Sequence, residues 1–356
     1  MGKNGLLFIP DISGFSRFVN EADIEHSRLI IQELLEVLVN SNQIGLRLSE
    51  IEGDAILFYR YDDSPDAHQV IKQVEKMFCD FHTHLASYDL SKYCNCNACQ
   101  SAVKLTLKII THYGELTEYK VRNFSKLMGR DVIIAHNLMK NDIEDHEYWL
   151  ATENMFPFIH VNSAKWPQWH SGNKLTDIGN ISFQYTQLGM LRDEIKPVLV
   201  PKVKFSELAL AFSMRKTFKT RIRLLFRATA DFELRSRWME GVKQAEKFND
   251  LLPRSGMRCK ITSEDGEAII SSRSKVLADD LIEFTENDEG LNYLVHYTLS
   301  KIEPGVVNLK FNYYIRKNAI SELHFKQDEK EMVMKRYKKS FANLVRLIDE
   351  IDPLKK

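Results

Sequence analysis

Apolar and polar positions repeat with two different periods along the first half of the chain. Alternating or wholly apolar runs predict strands, and apolar positions three and four residues apart predict amphipathic helices. The turn residues Gly53 and Asp54 join two of the runs as a hairpin. The predicted strands are 5–12, 47–52, 55–61, 104–112 and 148–152, and the predicted helices are 24–39, 65–81 and 132–139. Their order is typical of an α+β fold with helices packed on an antiparallel sheet.

The pattern changes after a break near Pro197–Ser206, where two prolines flank a short apolar run. Strands are predicted at 221–229, 267–276, 280–286, 292–300 and 306–316. One apolar stripe predicts a long closing helix; it contains Met334, Tyr337, Phe341, Leu344, Val345 and Ile348. We therefore expect two domains, at 1–200 and 205–356, the second being a curved antiparallel sheet around its last helix.

Composition narrows the class of protein. The 356 residues include 49 Lys and Arg and 49 Asp and Glu, so the formal net charge is zero, which argues against a dedicated nucleic-acid binder. No apolar run reaches the 18 residues of a membrane span, and five cysteines do not suggest a disulfide framework. The expectation is a soluble cytoplasmic protein.

Two carboxylates follow apolar runs in the first half. Asp11 comes at the end of the first predicted strand, and Asp54 lies in the hairpin. If these strands are neighbours, both side chains emerge at one edge of the sheet, where they could hold Mg²⁺ or Mn²⁺ together with substrate phosphates. The alternative is turn chemistry, with Asp11 capping the next helix and Asp54 serving the hairpin.

Four segments, in order, are similar to motifs of one enzyme family. They are Phe8–Ser16 (FIPDISGFS), Glu50–Ala55 (EIEGDA), Leu107–Gly114 (LKIITHYG) and Leu127–Ala135 (LMGRDVIIA). Over residues 5–160 the chain resembles the catalytic domain of class III adenylate and guanylate cyclases, most closely a bacterial subgroup. The resemblance implies a ferredoxin-like antiparallel sheet with helices, and an active site built across a homodimer.

The resemblance assigns roles to residues around the first two motifs. Asp11 and Asp54 match the two metal-binding carboxylates, and the carbonyl of Ile12 matches the backbone ligand, which implies a two-metal site for Mg²⁺ or Mn²⁺. A short segment at the start of the next helix is implied to lie near a triphosphate, because free N–H groups there favour anions. That segment is Ser13, Gly14, Phe15 and Ser16.

Four further positions can be compared with the family's pattern, and three of them depart from it. Glu50 matches the base-selecting position with a guanylyl-type carboxylate, whereas Lys126 at its partner position fits neither purine, so the purine stays open. The family's ribose-orienting Asn falls on Ile133, and its transition-state Arg falls on Asn137, four residues later on the same helical face. The side chain of Ile133 can make no hydrogen bond, and the neutral Asn137 cannot replace a charge that is worth orders of magnitude in rate on a transferring phosphate. We therefore call these two positions degenerate.

Three functions are consistent with these sequence features. The first is conversion of a purine nucleoside triphosphate to a 3′,5′-cyclic monophosphate and pyrophosphate, with the ribose 3′-OH attacking the α-phosphate. The second is a pseudo-cyclase that binds the nucleotide to set its dimer state. The third is a scaffold that presents the C-terminal domain. The degenerate positions Ile133 and Asn137 favour the last two.

Three cysteines lie within six residues of a polar loop. Cys94, Cys96 and Cys99 form a Cys-x-Cys-x-x-Cys pattern that suggests Zn²⁺ binding in a reducing compartment. Tetrahedral zinc needs a fourth ligand, for which the candidates are His82, His84, Cys79 and the partner chain's loop. The alternatives are reduced thiols without a ligand and, less favoured, redox sensing.

The C-terminal half resembles the START-like (SRPBCC) helix-grip fold. The similarity lies in Phe232–Gly241, a turn at Gly256, successive strands and the closing helix. This fold implies a cavity for an apolar small molecule between sheet and helix. The expected lining is Trp238, Phe284, Tyr293, Tyr297, Phe311, Tyr313, Phe341 and Leu344. The alternative is that these side chains simply fill the core.

Overall fold

The computed structural model divides the chain into two compact units. The first comprises Met1–Asp89 and Asn95–Val198, and the second comprises Leu90–Cys94 and Leu199–Lys356. The structure describes residues 2–21, 24–61, 65–94, 96–122, 124–159, 168–200, 204–248, 251–252, 254–290, 292–317, 325 and 329–352. Among the described helices, none combines the length and the apolar content needed to cross a membrane.

The first unit is an α+β structure built on an eight-stranded sheet. Its strands are β1 (Lys3–Ser13), β2 (Arg47–Glu52), β3 (Ala55–Tyr61), β4 (Thr106–Val121), β5 (Phe124–Met128), β6 (Tyr148–Thr152), β7 (His170–Thr176) and β8 (Gly179–Gln187). Its helices are α1 (Phe15–Glu21), α2 (Ile24–Asn40), α3 (Ala67–Ser91), α4 (Asn97–Ser101), α5 (Arg130–Met139) and α6 (Phe156–Ile159).

The strand order in this sheet is β2-β3-β1-β4-β6-β8-β7, with β5 paired to the distal half of β4. Neighbours are antiparallel except β4 and β6, which are parallel. Parallel neighbours require a crossover connection, and β5 and α5 lie within this one. The central strands β1, β3 and β4 therefore bring three of the motif segments side by side.

Strand β1 is buried on both faces, which explains its continuous apolar sequence. Leu7 and Ile9 belong to a core cluster with Val132 and Ala135 of α5. Phe8, which points to the opposite face, is also fully buried. Such double burial predicts a fixed position for the end of the strand, where Asp11 and Ser13 follow.

The second unit holds a seven-stranded antiparallel sheet in the order β10-β11-β12-β13-β14-β15-β9. Its strands are β9 (Leu208–Lys219), β10 (Val242–Lys247), β11 (Arg258–Ser263), β12 (Gly266–Leu277), β13 (Leu281–Asp288), β14 (Tyr293–Glu303) and β15 (Val306–Arg316). Its helices are α7 (Ile222–Ala230), α8 (Arg235–Trp238) and the long closing α9 (Lys330–Ile351).

One predicted strand of this unit is wrong. Residues 221–229 were expected to be extended, but Ile222–Ala230 forms helix α7. The buried residues Ile222, Leu225, Phe226 and Thr229 recur at helical spacing. The short alternation of Arg221, Ile222 and Arg223 at its start has the period of a strand, whereas the buried residues that follow have the period of a helix.

The aromatic side chains expected to line a cavity in the second unit contact one another. The rings of Phe284 and Tyr297 stack with centroids 4.5 Å apart, and those of Phe311 and Tyr337 lie 4.4 Å apart. Trp238, Phe341 and Leu344 belong to the same buried cluster. This packing favours the alternative that these side chains fill the core.

Candidate functional site

Two neighbouring strands bring Asp11 and Asp54 to the same end of the sheet. In the antiparallel pairing of β1 and β3, Asp11 lies opposite Ala55, the residue after Asp54. The backbone N–H of Ile12 donates to the carbonyl of Asp54 at 3.1 Å. Gly53 makes this hairpin possible, because its φ of +63° lies in the left-handed region that a two-residue loop requires.

The electrostatics of the two carboxyl groups are coupled. Burial and then the negative charge of Asp11 raise the pKa of Asp54 to about 6. Burial also raises the pKa of Asp11, which is only 6% exposed, while the positive charge of Lys108 opposes that shift. Because the two carboxylates are partly desolvated and repel each other, a positive charge beside them would stabilise their ionised forms.

Lys108 is a site residue that sequence reasoning missed. It lies directly opposite Asp11 in the pairing of β1 and β4, and its Nζ is 3.2 Å from Asp11 Oδ2. The same ammonium donates to the carbonyl of Met139 at the end of α5, at 2.9 Å. The protein itself therefore supplies part of the positive charge that stabilises these carboxylates.

The segment after Asp11 turns from β1 into α1. Ser13 is buried, and its hydroxyl has no hydrogen-bond partner within the part of the chain that the structure describes. Gly14 and Ser16 are exposed, and Phe15 is half-buried at the first position of a helix of seven residues. A cleft of about 510 Å³ opens beside Ser13 and Gly14; its lining includes Lys104, Glu144, Asp145 and Glu147.

Glu50 and Lys126, which the resemblance predicts to be at the base-selecting positions, pair with each other. Lys126 Nζ on β5 lies 2.6 Å from Glu50 Oε2 on β2. This hydrogen bond raises the pKa of Lys126. The carboxylate of this pair therefore lies on the hairpin strand β2 and the ammonium on β5.

Ile133 and Asn137, the two positions that the resemblance predicts to be degenerate, lie on α5. Ile133 is 50% exposed, an uncommon environment for a β-branched apolar side chain. Asn137 is half-buried, and its backbone carbonyl accepts a hydrogen bond from Lys174 Nζ at 2.8 Å. Their spacing of four residues puts both side chains on one face of the helix.

The third and fourth motifs are joined by a buried histidine. His112 Nδ1 lies 2.7 Å from Thr152 Oγ1, and His112 Nε2 lies 3.1 Å from Asp131 Oδ1. Asp131 also accepts from the backbone N–H of Glu115 at 2.7 Å. A Cβ on Gly114 would come within 2.3 Å of the Asp131 side chain, which explains the glycine. This histidine therefore holds β4, β6 and α5 together.

The cysteine loop converges on a histidine that the sequence did not single out. His26 Nδ1 lies 3.4 Å from Cys96 Sγ and 3.5 Å from Cys99 Sγ, and Cys94 offers its sulfur to the same group. The residues expected to be the fourth ligand lie elsewhere. His82 packs on Phe78, where burial lowers its pKa to about 3, and His84 pairs with Glu33. Cys79 is not in the group of ligand atoms either.

Comparison with known proteins gives a family and a relative over a third of the chain. Residues 31–148 match the family described as "Protein of unknown function (DUF2652)". "Uncharacterized protein Rv2561/Rv2562" of Mycobacterium tuberculosis is 30% identical over 121 residues, which make up 34% of this chain and 56% of that protein. The chain therefore spans little more than half the length of this relative.

Solved structures similar to this chain include cyclase catalytic domains. The guanylate cyclase domain of a protein from Catenaria anguillulae, in complex with GTP, is 14% identical, with a TM-score of 0.39 over 52% of this chain and 96% of that one. The adenylyl cyclase CyaB from P. aeruginosa is 14% identical, with a TM-score of 0.36 over 52% and 95%. Both similarities combine low sequence identity with a low TM-score.

Proposed function

We propose that the first unit is a cyclase-like domain that binds a purine nucleoside triphosphate through divalent metal at Asp11 and Asp54. The observation that supports this most directly is the convergence of the two carboxylates at one end of the sheet, fixed by the Ile12–Asp54 backbone hydrogen bond. The turn-chemistry alternative gives no reason for two mutually repelling, partly buried carboxyl groups at this position.

The donor set suits a hard cation. Mg²⁺ and Mn²⁺ prefer carboxylate and carbonyl oxygens together with substrate phosphates, and Asp11, Asp54 and the carbonyl of Ile12 would hold them. When bound, such ions neutralise the phosphate charge that the acidic cleft beside Ser13 would otherwise repel. This explains how a chain of zero net charge would take a polyanionic ligand.

Cyclisation of the bound nucleotide is the second candidate function, favoured by the retained carboxylate pair. Ile133 has no hydrogen-bonding group for a ribose, and Asn137 has no charge for a transferring phosphate. We therefore infer that binding, with cyclisation weak or absent, is the principal activity. The pairing of Glu50 with Lys126 leaves both purines as candidate ligands.

A second copy of the chain is the partner that the proposal implies. Four exposed apolar side chains lie on β2, β5 and α5: Leu48, Ile51, Met128 and Ile133. Strands β2 and β5 also contact each other through the Glu50–Lys126 pair. We propose that this surface is covered in a homodimer, which would set α5 of one chain against the carboxylates of the other.

Restoring the two degenerate side chains tests the cyclisation candidate. Purified wild type and the double variant Ile133→Asn/Asn137→Arg are incubated with GTP or ATP and Mn²⁺, and cyclic monophosphate is measured by mass spectrometry. We expect product formation to rise at least about 100-fold in the double variant, because a positioned Arg alone is worth that much or more. Abundant product from the wild type would contradict the inference that cyclisation is weak.

Lys108 allows a test of the metal site that does not depend on turnover. We expect Lys108→Met to bind Mn²⁺ about tenfold more tightly, because it removes an ammonium 3.2 Å from Asp11 that competes with the cation. Electron paramagnetic resonance of free Mn²⁺ gives the affinity. Lys104→Met, on the cleft lining, is the control for a general change in charge. Weaker binding by Lys108→Met would contradict the placement of the metal.

A further inference from the structure

We propose that His26, Cys94, Cys96 and Cys99 bind one structural Zn²⁺, which fixes the cysteine loop to the first turn of α2. The proposal concerns a site separate from the carboxylates and stands without them. In this proposal the fourth ligand is His26, which lies 70 positions before Cys96 in the sequence.

The distances among the donor atoms match the edges of a coordination tetrahedron. With Zn–S near 2.3 Å and Zn–N near 2.0–2.1 Å, a tetrahedral site places sulfur atoms about 3.8 Å apart and sulfur about 3.6 Å from nitrogen. Here Cys96 Sγ and Cys99 Sγ are 3.4 Å apart, and His26 Nδ1 is 3.4 and 3.5 Å from them. These three atoms form nearly an equilateral triangle, the shape of one tetrahedral face.

Cys94 supplies the fourth vertex. Its Sγ lies within 4.8 Å of each of the other three donor atoms. Cys94 is also only two residues before Cys96 in the sequence, so the chain itself holds the two donors close together. Two residues span at most about 7 Å of extended backbone, so Cys94 stays within reach of the site.

The chemistry of the donors favours zinc over the alternatives. Three thiolates and one imidazole form a closed set of the kind that structural zinc sites use, whereas iron–sulfur clusters are commonly held by four cysteines. A disulfide needs sulfur atoms about 2.05 Å apart, and the 3.4 Å between Cys96 and Cys99 is far longer. Cys99 is fully buried, which disfavours a role as an accessible redox sensor.

A metal here would stabilise the segment next to the candidate nucleotide site. Helix α4, which contains Cys99, packs against α1 and α2, and His26 lies in the first turn of α2. The coordination bonds would therefore link α4 to α2, and α1 follows directly from Ser13 and Gly14.

Metal analysis of the untagged wild-type chain tests the proposal. After dialysis against metal-free buffer to remove loosely held ions, we expect about one Zn²⁺ per chain by inductively coupled plasma mass spectrometry. X-ray absorption should then give three sulfur ligands and one nitrogen ligand. Absence of zinc, both after expression and after refolding with Zn²⁺, would overturn the proposal.

Paired variants separate this site from the other candidates. We expect His26→Ala and Cys96→Ser to lose the tightly held zinc, whereas His84→Ala and Cys79→Ser retain it. Retention of the full zinc content and of a three-sulfur, one-nitrogen shell in His26→Ala would overturn the assignment of His26. If a variant fails to fold, cobalt substitution of the wild type still decides, because tetrahedral thiolate coordination has its own absorption spectrum.

Discussion

Replacing Arg235 with methionine is expected to lower the free energy of unfolding of the second unit by about 3–5 kcal/mol. Arg235 is fully buried, and its Nη2 donates to Glu286 Oε1 at 2.5 Å and to the carbonyl of Thr229 at 3.2 Å. The guanidinium also lies 5.1 Å from the ring centroids of Phe232 and Trp238. Methionine would leave the carboxylate of Glu286, 3% exposed, without its counter-charge.

Two further variants, a double variant and a control on the same helix, make this prediction specific. Arg235→Met/Glu286→Leu is expected to be more stable than Arg235→Met alone, because a buried pair can be replaced by apolar side chains at little cost. Arg237→Ala on the same helix removes an exposed pair with Glu350 and should cost at most about 1 kcal/mol. Hydrogen exchange of β13–β15 peptides in denaturant localises the effect. Equal losses in Arg235→Met and Arg237→Ala would contradict the account.

Replacing Asp54 with asparagine is expected to weaken metal-dependent nucleotide binding by about 100-fold or more, since even outer-shell partners of a metal are worth about 10–100-fold. The same change should not reduce stability at neutral pH. A carboxyl group whose pKa is raised to about 6 is ionised at a cost above that pH, and asparagine removes the charge while keeping its size.

The combination of lost binding and retained stability distinguishes a functional role for Asp54 from a structural one. Calorimetric titration gives the affinity, and thermal unfolding gives the stability. Glu52→Gln is the matched control, because it neutralises an exposed carboxylate in the same hairpin. Asp11→Asn is less informative, since it would also leave Lys108 without its partner. Nucleotide binding by Asp54→Asn at wild-type affinity would contradict the metal site.

Local patterns predicted the elements around the carboxylates. The apolar run before Asp11 and the Gly53-Asp54 turn each specify their own geometry, so the two ends could be expected to meet if their strands were neighbours. Lys108 could not be found this way, because its place opposite Asp11 depends on the register of β1 and β4. That register is set by packing across strands about 100 residues apart in sequence.

The same limit explains His26 and the second unit. The Cys-x-Cys-x-x-Cys spacing predicts a metal-binding loop, but the proposed fourth donor, His26, lies on α2 and is brought to the loop by tertiary packing. In the second unit, the buried pairing of Arg235 and Glu286 joins α8 to β13. A charge at position 235 looks like a solvated residue in the sequence, so no local period indicates that it is fully buried.

Calorimetric titration of the 356-residue chain with GTP and with ATP, in Mn²⁺ and in excess EDTA, tests the central claim most directly. The account predicts saturable binding of at least one of the two nucleotides in Mn²⁺, and a loss of that binding of about 100-fold or more in EDTA. No binding in Mn²⁺, or equal binding with and without the metal, would contradict it.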